Sequence, residues 1–202
     1  MINKKWFTII ELMIAIIIFT IWFLSAYLLI YSAINSSVRS KNEIIASNIA
    51  REQIELVKNI RDTNWLKNND WDNIDSYLPL WSWTGNLSLN EYYMIENNYS
   101  WVTPIKIEKL SSFDWSRGNV LWTAQVRLCI DDKWRYFHCR ATWDRKTTFY
   151  SFLKINKLVT ENSITHTPIS VTWALKVESF VINTERWYNE FKINTIITDW
   201  KK

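Results

Sequence analysis

Only two histidines and two cysteines occur in the 202 residues, and their placing restricts the chemistry they could carry. Cys139 follows His138 directly, yet neighbours on a strand point to opposite faces, so the two cannot act as a local nucleophile and base. A zinc centre would need His138, His166, Cys129 and Cys139 all to converge. The carboxylates Asp70, Asp72 and Asp75 of "DWDNID" lack the full spacing of a calcium-binding helix–loop–helix and read as a solvated loop. No enzymatic activity, metal or cofactor is expected from this set. What remains is Cys129 and Cys139, which flank "DDKWR". If a hairpin folds about residue 134 they face each other, and an oxidising compartment would allow a disulfide; otherwise they are two unpaired strand cysteines.

One more residue invites a chemical question. Glu11 lies inside "FTIIELMIAIIIFTIWFLSAYLLIY", and the 20 residues from Leu12 to Tyr31 carry no charge. At 1.5 Å per residue that run spans about 30 Å, the thickness of a bilayer's hydrocarbon core. A carboxylate costs about 2.5 to 3.5 kcal/mol at full membrane depth and less near an interface. It therefore asks for a partner. Lys4 and Lys5 precede the run, which by the positive-inside rule places residues 1 to 5 in the cytoplasm and the C-terminal bulk outside. A secretory signal is the competing reading, but no small-x-small cleavage pattern follows: the candidate −3 positions are Ser32 and Tyr31.

Composition adds an anomaly. The chain has 14 Trp and 2 Gly, where ordinary usage gives glycine about 7% of residues. Many of the tryptophans stand where turn chemistry wants a residue that tolerates positive φ, as in "PLWSWTGN", "FDWSRGN", "DDKWR" and "TERWYNE". UGA codons that the source reads as glycine, as some bacterial lineages do, would explain this. Exchanging Trp6, Trp22, Trp71, Trp81, Trp83, Trp101, Trp115, Trp134, Trp143, Trp173 and Trp187 leaves 3 Trp and gives 13 Gly. Trp65, Trp122 and Trp200 fit apolar or strand patterns and are retained. The alternative is a Trp-rich binder of sugars or membranes.

With Trp6 read as glycine, "KKWFTIIELMIA" resembles the processing site of type IV prepilins and the related secretion pseudopilins: a short basic leader, Gly, then Phe-Thr-x-x-Glu opening a hydrophobic helix. The resemblance implies that a membrane prepilin peptidase cuts between Trp6 and Phe7 and methylates the new amine of Phe7. It also implies that Glu11 meets the Phe7 amine of a neighbouring subunit during assembly. Pairing would remove two unpaired ions from a low-dielectric core. Glu11 could instead pair with the amine of its own chain or face the headgroups.

These residues must be positioned by the rest of the chain. In "SKNEIIASNIAREQIELVKNIRD" apolar residues at 45, 49, 56 and 60, with 50, 54 and 57 beside them, form one stripe of a 3.6-residue helix. The stretch resembles the corresponding helix of minor pilins and pseudopilins. One helix from about Phe7 to about Arg61 is expected. Residues 62 to 90 read mostly as loop. Strand-like runs follow: "EYYMIE", "PIKIEKL", "NVLWTAQVRLCI", "RYFHCRAT", "TTFYSFLKIN", "ALKVESFVIN" and "NEFKINTIIT".

The expected fold is thus α+β, a long N-terminal helix packed on a C-terminal antiparallel sheet, the pilin plan. Its parts are a leader at 1–6, a transmembrane and filament-core helix at 7–34, an amphipathic continuation at 35–61 and an extracytoplasmic domain at 62–202. The net charge of +4 is too small to argue for nucleic acid. The family resemblance implies a minor structural subunit, held in the cytoplasmic membrane with its C-terminus outside and then drawn into a filament. Its partners would be other pilin or pseudopilin subunits, the prepilin peptidase, the membrane and the filament assembly platform. The other reading is a membrane-anchored extracellular module for polysaccharide, with Trp81 and Trp83 stacking on sugar rings if the tryptophans are genuine.

Overall fold

The computed structural model describes residues 8–74, 85, 87–97, 105–110, 124–161, 168–185 and 189–199. The class is α+β: among the described residues there are one long helix, α1 (Ile9–Leu66), and seven strands. The chain divides into two compact units between Glu43 and Ile44.

The first unit is the apolar stretch of α1. Its helical start is marked at Thr8, whose carbonyl accepts from the N–H groups of Glu11 and Leu12. Two hydroxyls inside it are satisfied by the helix itself: Thr20 Oγ1 donates to the Ile16 carbonyl at 2.7 Å and Ser25 Oγ to that of Ile21 at 2.8 Å. That local bonding is what a polar side chain needs where no water is available. The stretch is long and apolar enough to cross a membrane.

The second unit holds Ile44–Leu66 of α1 and the sheet. Ala46, Ile49, Ala50, Gln53, Ile54, Leu56, Val57, Ile60 and Asn64 are its buried helical residues, recurring every three or four positions as one stripe. The helix does not stop near Arg61 but runs to Leu66. Asn68 ends it with φ 58°, while Asn69 N–H bonds the Asn64 carbonyl and Asn68 N–H that of Trp65. This is the Schellman arrangement, in which an asparagine replaces the usual glycine. "DTN" does not break the helix because the buried Asn64 amide donates to the Trp71 and Asn73 carbonyls instead of to its own backbone.

The strands are β1 (Glu91–Asn97), β2 (Ile105–Lys109), β3 (Arg127–Ile130), β4 (Tyr136–His138), β5 (Lys146–Glu161), β6 (Pro168–Asn183) and β7 (Asn189–Thr198). All pairings are antiparallel. β5 is central. It pairs with β6 along one side, and on the other with β3 near its start and with β1 further on. β2 lies outside β1, β4 outside β3, and β7 outside β6.

The strand-like run "NVLWTAQVRLCI" is not strand throughout. Within its described part, Ala124–Val126 is a single 3-10 turn and only Arg127–Ile130 is strand. The turn places Val126 in the cluster with Tyr150 and Phe152, a burial that strand geometry is not needed to achieve. β5 and β6 in turn extend beyond the apolar runs, because each supplies the other's ladder to Glu161 and Pro168.

Period-two alternation fills both faces of the sheet. Under the helix, Leu56, Val57 and Ile60 meet Tyr93, Ile95, Ile107, Leu153, Ile155 and Val177. Ala46, Ile49 and Ala50 meet Leu128, Phe149 and Val181, the small alanines letting the backbone approach. Between these clusters Ser179 Oγ donates to Gln53 Oε1 at 2.6 Å. On the other face Met94, Leu110, Val126, Tyr150, Phe152, Phe180 and Ile182 form a second layer, with the rings of Phe152 and Phe180 stacked at 5.1 Å.

Candidate functional site

Glu11 lies in the first turn of α1, where a carboxylate complements the positive end of the helix dipole. Among the described residues its carboxylate has neither a hydrogen-bond nor an ion-pair partner. No Asp, Glu, Lys or Arg occurs from Leu12 to Val38, and the next charge, Arg39, is itself paired with Glu43 at 2.9 Å. Around the uncharged run the large side chains are more than half exposed, Ile9 at 80% and Leu29 at 73%. Phe19 stacks on Phe23 and Tyr27 on Tyr31. The tyrosines fall near the C-terminal end of the run, where amphipathic rings suit a membrane–water boundary. The site is therefore an acid without a partner among the described residues, at the mouth of an exposed apolar surface. The expected processing positions Trp6 and Phe7 lie outside the described residues, as do Asp75, Trp81, Trp83 and His166.

Cys129 and Cys139 are joined by a disulfide, with Cα atoms 5.1 Å apart. Their hairpin folds about residue 133 rather than 134: Leu128 pairs with His138, Cys129 with Phe137 and Ile130 with Tyr136. The cysteines are thus diagonal neighbours instead of directly opposite, and Cys139 N–H bonds the Arg127 carbonyl. The displacement follows from the loop, which closes through Asp131 N–H to the Arg135 carbonyl.

A second constellation was not visible in the sequence. Glu96 on β1, His138 on β4 and Ser151 on β5 are each at most 5% exposed. Ser151 Oγ is 3.3 Å from His138 Nε2, and His138 Nδ1 is 3.6 Å from Glu96 Oε2. In outline this is a Ser–His–carboxylate relay. Its protons run the wrong way for one. Nε2 lies 3.0 Å from the Ser151 carbonyl, which can only accept, so Nε2 carries the hydrogen and cannot take one from the hydroxyl. The adjoining cavity measures about 20 Å³, far below the roughly 300 Å³ of small ligand clefts.

The Glu96 side chain instead ties strands together. It accepts from His138 N–H at 2.9 Å and from Arg140 Nη2 at 2.5 Å. Burial pushes its carboxyl up, but the His138 side chain, the Arg140 guanidinium and the His138 N–H outweigh this and hold it at about 2. The one signal for this cluster in the sequence is an acid inside the apolar run "YYMIEN", and its partner lies 42 residues away.

Among the described residues no three His, Cys, Asp or Glu side chains gather as a metal site. No family model, no curated protein and no solved structure matches the chain.

Proposed function

We propose that the chain is a structural subunit of a filament of the type IV pilus or secretion pseudopilus kind, processed before Phe7 and assembled through the first part of α1. The observation that carries this reading is Glu11: a carboxylate with no partner among the described residues, opening an exposed apolar helix. Membrane anchoring alone gives such a group no task, and folding of the sheet gives it none. A cationic amine at Phe7 of a neighbouring copy would neutralise it at the same depth, and the apolar sides of the helices would cover one another as lipid is left behind. The sheet unit then serves as the subunit's outer body, and its buried Glu96–His138 cluster is assigned a structural role.

A second reading is an anchored sugar-binding module. It draws on exposed indoles, Trp134 at 70% and Trp143 at 87%. Cell fractionation separates the two. A filament subunit appears among surface fibres released by shearing, and disappears from them when the prepilin peptidase is inactivated. A chain that stays wholly in the membrane fraction and binds polysaccharide through its tryptophans would overturn the filament assignment.

A further inference from the structure

One backbone position in the sheet unit is left-handed and another sits in a break of a strand's register, and both carry tryptophan. The first closes the β3–β4 hairpin. Trp134 N–H donates to the Asp131 carbonyl at 3.0 Å, and Asp131 N–H to that of Arg135 at 3.1 Å. Residue 134 itself has φ 62°. A four-residue turn followed by a left-handed residue is the pattern of the three-residue hairpin loop with a G1 bulge, whose bulge position is glycine. The loop is held by other residues. Asp131 Oδ1 accepts from Lys133 N–H and Arg135 N–H at 2.9 and 2.8 Å, and Oδ2 pairs with the Arg135 side chain. The indole is 70% exposed, with the Arg145 guanidinium 5.2 Å from its ring centre. Elsewhere in the described residues, positive φ falls on Asn68 and Asn90, the residue type that tolerates it.

The second position lies in β6. Lys157 pairs with Leu175 while Leu158 pairs with Val171, so Thr172, Trp173 and Ala174 face no partner on β5. Trp173 is at the centre of this bulge, 48% exposed, with its carbonyl accepting from Asp199 N–H at 2.8 Å. Glycine inside a strand commonly marks such a break.

We infer that positions 134 and 173 are glycine in the polypeptide made by the source cell, encoded by UGA. This is narrower than an argument from composition, because the left-handed turn at 134 and the bulge at 173 set these positions apart from Trp71, whose indole is partly buried against the core under the helix. It also bears on ligand binding: with glycine at 134 and 173, two of the exposed indoles that could stack on a sugar are absent from the natural protein.

The test is the gene sequence together with the masses of proteolytic peptides from the native protein. UGA at both codons, with peptides carrying glycine at 134 and 173, is the expected result. UGG at either position, or UGA with a peptide carrying tryptophan, overturns the inference. It stands apart from the filament reading. UGG at codon 6 beside glycine at 134 and 173 would remove the processing glycine and leave the present inference intact.

Discussion

From Ile9 to Ile34 the large side chains of α1 stay exposed, Ile17 at 56% and Phe19 at 63%, whereas Val57 and Ile60 of the same helix are at 1% and 0%. Both stretches are rich in isoleucine and leucine, but they are patterned differently. In residues 44–66 the apolar positions form a stripe, with Arg51, Glu52, Glu55 and Lys58 interposed, and the chain's own sheet covers it. In residues 9–34 every side of the helix is apolar. Burying one such side chain gains about 1.5 to 3 kcal/mol, and under the proposed function lipid and then further copies of the chain would supply that burial. One helix thus combines a stretch covered by its own domain and a stretch long and apolar enough to cross a membrane.

The largest effect that would sharpen this contrast belongs to Glu11. Removing one member of a buried ion pair costs about 3 to 5 kcal/mol, or more than two orders of magnitude in an association constant. Glu11→Ala should cut filament incorporation by about that much, measured by shearing and immunodetection. Membrane retention and the melting of the sheet unit should stay as they are. Wild-type incorporation of this variant would show that the acid has no assembly role.

Next in size is a paired comparison of isoleucines. Ile60→Ala should lower the stability of the sheet unit by about 2 to 5 kcal/mol through lost burial and a residual cavity. Ile17→Ala, followed by denaturant titration of the full chain in detergent, should change it by less than about 0.5 kcal/mol. Similar losses from both substitutions would break the contrast between the two stretches.

Acid provides the third test, on the sheet unit alone. The Glu96 carboxyl is held at about 2, below its ordinary 4.5, so the stabilisation it gives is complete above the ordinary value. It is lost as the pH falls through 4.5 towards 2. The loss is up to about 3 kcal/mol, and Glu96→Gln should remove that part of the pH dependence while destabilising the domain at neutral pH. A wild-type stability curve that is flat between pH 5 and 2 would contradict the cluster's assigned role.

The smallest expected effect is a gain. Trp134→Gly relieves a left-handed backbone conformation that costs an ordinary L-residue about 1 to 2 kcal/mol, and should raise the denaturation midpoint. Trp71→Gly should act in the opposite sense, because it removes an indole packed against the core.

Legibility in the sequence followed the range of the interaction. The apolar run, the stripe at 45 to 60 and the alternation of β6 and β7 are local patterns and could be read directly. The helix end at Leu66 could not, since it depends on Asn64 reaching the Trp71 and Asn73 carbonyls. The hairpin's centre at residue 133 depends on a loop closed by Asp131, one residue short of the symmetric position between the cysteines. Glu96, His138 and Ser151 come from three strands, and no spacing within a single segment announces them. Glu11 was legible because its surroundings are uniformly apolar, so a single charge needs no structure to be noticed.

The proposed function requires that the helix be made behind a leader and enter a filament with a new amine at Phe7. Mass spectrometry of the N-terminal peptide from native sheared filaments tests this most directly. The expected chain starts at Phe7 and carries a methyl group on its amine. A chain that still carries Met1–Trp6, or a mature start near residue 34, would contradict it.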